Sequence, residues 1–114
     1  MSIDSTQTTT ETTSTLDHTD LTAFQIDVLA VTARLETSIE QVYGLAIKRG
    51  LEDIHDEEIN HGRLYPNLDE LTNEGLVEKG EIDARTNSYR VTERGFQLLQ
   101  QRRDHLSIAI DGGL

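Results

Sequence analysis

The sequence contains no cysteine, and its only methionine is Met1. Without cysteine there are no disulfides, thiolate nucleophiles, cysteine-ligated zinc sites or thiol redox sensors. Without an internal methionine there is no methionine-based sensor. No apolar run approaches the roughly 18–20 residues of a membrane-spanning helix, and no signal-peptide pattern opens the chain, so the expected location is the cytoplasm with no membrane partner. Catalytic signatures are missing as well. There is no glycine-rich phosphate loop, no nucleophile beside a recognisable base and no carboxylate pair placed for acid–base work. The four histidines, His18, His55, His61 and His105, are too scattered to define a site. The chain is not expected to be an enzyme.

Basic residues are also scarce, 10 Lys and Arg against 21 Asp and Glu, for a net charge of −11. That balance sits awkwardly with nucleic-acid binding, which usually needs a basic face. The acid excess is uneven, however. Residues 1–20 have no base at all, and residues 21–60 set only Arg34, Lys48 and Arg49 against their acids. From residue 80 onward Arg85, Arg90, Arg94, Arg102 and Arg103 balance the carboxylates. A preponderance of Arg over Lys in an acidic chain resembles proteins of salt-accumulating halophiles; the plainer alternative is charge used for solubility.

A chain of 114 residues supports one small domain whose core is modest unless a partner extends it. Residues 1–19 are rich in Thr and Ser with almost no apolar content, so they read as a disordered tail. Asp20 is a good N-cap for a first helix running to about Leu35. Leu21, Phe24, Val28, Val31 and Leu35 recur at 3-4-3-4 spacing on one of its faces, while Ile26, Leu29, Ala30 and Ala33 occupy another. A helix apolar on two sides must be buried on two sides. One side is expected to cover this chain's core and the other a second subunit.

Thr37 with Glu40 three residues on reads as a capping box, opening a second helix near Ser38 with Ile39, Val42, Leu45 and Ala46 inward. Lys48 and Arg49 near its end either compensate the helix dipole or contact phosphate, two compatible roles. The acidic run Glu52, Asp53, Asp56, Glu57 and Glu58, with His55 inside it, matches no zinc or calcium spacing. It reads as solvated loop charge, or more loosely as a place for hydrated monovalent cations.

The most informative stretch is His61 to Gly95. Asn60 is an N-cap, Leu64, Leu68 and Leu71 stack along one side of a third helix, and Gly75 stops it. Pro66, the one proline, costs little only if it lies near the helix start. Leu76-Val77 enters a strand, Asp83 to Asn87 form a polar turn, and Tyr89 and Val91 alternate inward on the return. Thr92 then caps a last helix carrying Phe96, Leu99, Leu106 and Ile110 at a/d spacing, with Arg103 on the same seam and Leu98 beside it.

Leu64-Tyr65-Pro66 followed by Tyr89-Arg90-Val91-Thr92-Glu93 resembles the signature of the PadR family of transcriptional regulators, and the likeness runs from about Leu21 to Gly95. It implies a mainly α fold with a small β-hairpin (α+β). This is a winged helix-turn-helix with dimerisation helices at both ends, made of a domain over residues 20–95 and a C-terminal helix and tail over 96–114. The chain resembles the short subclass, of halophilic archaeal type, so no effector pocket is carried over and any small-molecule effector is unknown. The implied partners are double-stranded DNA and a second copy of the chain.

Arg63 is the strongest candidate for base reading, since its guanidinium can donate two hydrogen bonds to guanine, worth about 1–3 kcal/mol of discrimination. A surface salt bridge is the bland alternative. His61 and Asn67 are weaker candidates on the same helix. Tyr65 either packs inward or reaches a phosphate, and the resemblance places it near the DNA backbone. Arg85 and Asn87 at the hairpin turn suit a minor groove or phosphate, Arg90 either supports the hairpin or binds phosphate, and Arg94 pairs locally. The expected dimer surface is Leu21, Phe24, Val28, Val31 and Leu35 with Phe96, Leu99, Arg103, Leu106 and Ile110. No cofactor is expected beyond monovalent cations at the DNA interface. The alternative from another class is a winged-helix module that binds a protein and not DNA.

Overall fold

The computed structural model describes residues 16–112. A single 3-10 turn, His18–Asp20, precedes helix α1 (Ala23–Glu36), α2 (Gly44–His55), α3 (His61–Asn73), an antiparallel hairpin of β1 (Val77–Asp83) and β2 (Thr86–Val91), and α4 (Glu93–Asp111). This is the expected α+β winged helix-turn-helix.

The N-terminal region differs from expectation at its boundary. Met1–Thr15 of the expected tail lies outside the described residues, but Leu16–Thr19 is held against α4. The His18 amide donates to Gln101 Oε1 at 3.1 Å, and Leu16 packs on the core. Asp20 does not cap α1. It closes the short turn by accepting from the Asp17 amide at 2.9 Å, while Asp17 accepts from that of Thr19 at 2.8 Å. Thr22 takes the capping position instead. Its hydroxyl accepts from Gln25 N and Gln25 Oε1 accepts from Thr22 N, so two helix-end amides are satisfied where Asp20 would have satisfied one.

α1 is buried on both sides, as its two apolar faces require, but both sides are covered by its own chain. Leu21, Phe24, Val28 and Val31 all lie in the protomer core beside Ile26 and Leu29, because α2, α3, β2 and α4 all pack against this helix. The expectation that this stripe meets a second subunit is therefore corrected for those four residues; Leu35 remains half-buried at the helix end.

The second helix starts later than the Thr37–Glu40 pair suggests. The Thr37 hydroxyl donates back to the Arg34 carbonyl at 2.7 Å and helps end α1. The chain then runs extended beside β2: the Val42 carbonyl accepts from the Tyr89 amide at 2.8 Å, and Tyr43 bridges Ser88. Val42 and Tyr43 thus pair with the outer edge of the hairpin, and α2 begins only at Gly44. Its inward face consists of Ile47 and Leu51, while Ile39 and Leu45 are exposed.

α3 forms as read. Asn60 Oδ1 accepts from the Arg63 amide at 3.1 Å, and Leu64, Leu68 and Leu71 are completely buried. The helix ends in a Schellman turn with Gly75 at φ 77°, closed by Leu76 N to Leu71 O at 2.9 Å and Gly75 N to Thr72 O at 3.0 Å. Val77 then pairs with Val91, and Lys79 with Tyr89. The turn is tighter than expected, since Thr86 and Asn87 already belong to β2 and Asp83 Oδ1 accepts from the amides of both Arg85 and Thr86 at 2.9 Å.

Thr92 caps α4 by accepting from Gly95 N at 3.0 Å. Gly95 is required there, because a Cβ would collide with the Leu76 carbonyl. Leu98, read as lying beside the apolar stripe, is α4's anchor: it and Gly95 are the helix's buried residues. Among the described residues no helix is long and apolar enough to cross a membrane.

Candidate nucleic-acid interface

Because Leu64, Leu68 and Leu71 face inward, the 3.6-residue period turns His61, Gly62, Arg63, Pro66, Asp69 and Glu70 toward solvent. The exposed side of α3 is thus open near its N-terminus and acidic further along. Asp69 meets Lys79 of β1 at 3.5 Å, which partly offsets that acidity.

Arg63 is exposed, and its guanidinium carbon lies 3.9 Å from the centroid of the Phe24 ring on α1. Among the described residues it forms no salt bridge, the bland alternative. Asn67, expected as a base reader, is already committed: its Nδ2 donates to the Arg63 carbonyl at 2.7 Å and its Oδ1 accepts from Gln25 Nε2 at 3.1 Å. It ties α3 to α1.

His61 and Tyr65 stack with ring centroids 5.3 Å apart and planes 8° from parallel. Tyr65 is half-buried and runs across the N-terminus of α2 at Gly44, where a side chain would strike its hydroxyl. Tyr65 also lines a groove of about 200 Å³ with Tyr43, Arg85, Asn87 and Tyr89. The flank of α3 and the hairpin turn therefore share one side of the molecule. Arg85 is exposed at that turn, and Asn87 is half-buried in the groove wall. Arg90 lies across the hairpin from Glu78 at 3.3 Å, with both side chains mostly exposed, so it supports the hairpin with a weak pair.

On α2, Arg49 is exposed, whereas the Lys48 ammonium is 2.8 Å from Glu52 Oε2, one helical turn away. That same oxygen accepts from the Ile59 amide at 3.0 Å. Within the acidic run, Glu52 is thus a pin that fixes the loop leading into α3, while Asp53, Asp56, Glu57 and Glu58 are exposed. Among the described residues no group of three or more potential ligands is arranged to hold a metal ion.

Of the expected dimer residues on α4, Phe96, Arg103, Leu106 and Ile110 are exposed and Leu99 is half-buried; Ile108 adds to the open apolar surface at 57% exposure. Arg94 pairs locally, with Gln97 at 2.9 Å and with the Leu16 carbonyl. Sequence reasoning missed Phe24, Gln25 and Gly44 as supports of α3: the apolar spacing puts Phe24 in the expected dimer stripe, and nothing local singles out Gln25 or Gly44.

Hydrogen bonds from Lys48 and from the Ile59 amide hold the Glu52 carboxyl below its usual range. A lowered carboxyl pKa stabilises the fold above the ordinary value near 4.5, and that contribution is lost as pH falls through the lowered value. Glu52→Gln should therefore melt below the parent at pH 7, with the gap closing in acid. Thermal denaturation from pH 7 down to about 3 checks this; an unchanged gap would mean the carboxylate's charge plays no part.

Residues 33–101 match the Transcriptional regulator PadR-like family. Among solved structures, RosR of H. salinarum, from crystals grown from NaBr, is 52% identical with a TM-score of 0.72, covering 80% of this chain and 78% of that one. The complex of hsRosR-S1 is 51% identical with a TM-score of 0.72, over 81% of this chain and 78% of that chain. A PadR-like transcription factor from Bacteroides fragilis, at 17% identity and a TM-score of 0.65 over 78% of this chain and 84% of that chain, shares the fold. No curated protein matches. With its signature residues on α3 and β2 and a match over most of its length, the chain belongs to the PadR-like family of transcriptional regulators, of halophilic archaeal type, and is not an enzyme.

Proposed function

We propose that the protein binds double-stranded DNA sequence-specifically as a homodimer on a palindromic operator and regulates transcription in the cytoplasm. The observation that carries this reading is the groove shared by Tyr65 of α3 and the Arg85–Asn87 turn, which sets helix flank and wing on one side of the protomer. The N-terminal half of α3, about residues 61–74 in all, enters the major groove. Arg63 reads a base edge with His61 beside it, and the wing, about residues 76–92, lies on minor groove or backbone with Arg85 leading. Arg49 and Tyr65 contact phosphate. Lys48 and Arg90 assist only to the extent that Glu52 and Glu78 release them.

Dimerisation follows from α4, whose exposed Phe96, Leu106 and Ile110 share one face of the helix and form an apolar surface that an isolated protomer leaves in water. With the α1 stripe enclosed in its own core, the seam runs along α4, and Leu35 lies at its margin. Arg63→Ala should weaken binding to the selected operator roughly 5- to 150-fold, the range that one bidentate base contact supplies. Arg85→Ala should cost less and act on all sequences alike. Gel-shift titration of both variants checks this. Site-specific shifts that survive both changes would remove the assignment, and capture of a protein partner without any duplex binding would favour the protein-interaction module.

The net charge of −11 shapes the salt response. A basic protein releases condensed cations and loses affinity with a slope of about −0.9 per phosphate neutralised. Here Asp53 on the last turn of α2 and Asp56, Glu57 and Glu58 in the loop that leads into α3 stand exposed, so monovalent cations are retained or taken up between carboxylates and phosphates. Dissociation constants measured across a molar range of KCl should change little or fall as salt rises. A steep loss of affinity would contradict cation-assisted binding.

A further inference from the structure

The first turn of α1 touches the first turn of α3 through two separate contacts, and both converge on Arg63. The first is the stack of its guanidinium on Phe24, with the carbon 3.9 Å from the ring centroid. The second is a relay of side-chain amides. Gln25 Oε1 accepts from the Thr22 amide at 3.0 Å, which turns Nε2 toward Asn67. Nε2 donates to Asn67 Oδ1 at 3.1 Å, and Asn67 Nδ2 donates to the Arg63 carbonyl at 2.7 Å. Gln25 is 5% exposed and Phe24 7%, so both supports are themselves fixed by packing.

The chemistry of this arrangement is selective. A guanidinium stacked on a ring uses its face and leaves its in-plane N–H groups free. Among the described residues no acceptor takes them: the hydrogen bonds at Arg63 involve its backbone N–H and carbonyl. An unrestrained arginine loses about 2 kcal/mol of rotamer freedom when it is ordered on a base, so a side chain already held by its face binds with a smaller penalty. Phe24 also carries no charge, so it does not compete for the donors as a carboxylate would.

We infer that Phe24 and Gln25 of α1 are positioning residues for base recognition: they pre-order Arg63 so that α1, which itself reads no sequence, sets the operator specificity of α3. The inference rests on the base-reading role proposed for Arg63. It also gives Phe24 a function beyond its place in the protomer core.

The test is a double-mutant cycle on the full chain. The DNA is a duplex selected from a random library by the parent protein, compared with a scrambled duplex of the same composition. Phe24→Leu keeps an apolar group in the core and removes the π face; Phe24→Tyr retains the ring. Phe24→Leu should weaken binding to the selected duplex about three- to tenfold, leave the scrambled duplex unchanged, and cause no further loss once Arg63 is alanine. Phe24→Tyr should restore the selectivity. Losses of Phe24→Leu and Arg63→Ala that simply multiply would overturn the inference, as would equal weakening on both duplexes or no recovery with tyrosine. If Arg63→Ala itself leaves selectivity intact, the base-reading role fails along with the inference. If Arg63→Ala abolishes selectivity while Phe24→Leu does not change it, only the positioning role falls.

Discussion

The structure depends on α3 being anchored from one side only. Leu64, Leu68 and Leu71 are wholly buried, and at roughly 1.5–3 kcal/mol for each buried leucine they supply the largest force holding that helix. Everything else arranges itself around the free side this leaves. The Schellman turn at Gly75 ends the helix without spending an outward residue, and it delivers Leu76 and Val77 into the core so that the hairpin starts beside α3. Polar ties do the fine placement: Glu52 fixes the entering loop, Asn67 links to α1, and Tyr65 slides over Gly44 because nothing projects there.

Charge enters as a second constraint. An anionic chain that approaches a polyanion has to place its few cations where they count, and the structure shows some of them already engaged. Lys48 is paired with Glu52, Lys79 with Asp69 and Arg90 with Glu78. Among the described residues Arg49, Arg63 and Arg85 have no carboxylate partner; Arg49 is exposed on α2, Arg63 is stacked on a ring and Arg85 lies at the tip of the hairpin. In the proposed cation-assisted binding, selectivity rests on a small number of well-placed donors, and cations from the medium take the place of the long-range attraction that steers basic proteins to DNA.

Much of this was legible in the sequence because the signals were local. The N-cap at Asn60, the leucine spacing of α3, the glycine stop, the hairpin and the Thr92 cap each depend on a few neighbouring residues, and each formed as read. Apart from the Asp20 cap, which was lost to the neighbouring Asp17 turn and the Thr22–Gln25 capping box, the failures share one cause, competition from partners distant in sequence. Thr37 and Glu40 have the spacing of a capping box, yet Val42 and Tyr43 are drawn into pairing with β2, and no local pattern reveals that the hairpin needs an edge partner. The 3-4-3-4 stripe on α1 reads equally well as an intermolecular seam or a central core helix, and only the packing of α2, α3, α4 and β2 around it decides. Asn67 looked like a base reader because nothing in the sequence announces that Gln25, on another helix, takes its carbonyl.

The central claim is that two copies of α3 occupy neighbouring major grooves. Dimethyl sulfate footprinting on the selected duplex tests it directly, since guanine N7 is methylated from the major groove. The account predicts two protected patches related by a dyad and centred about 10–10.5 base pairs apart. A single protected patch, or full reactivity of N7 on a duplex that is nevertheless bound, would contradict it.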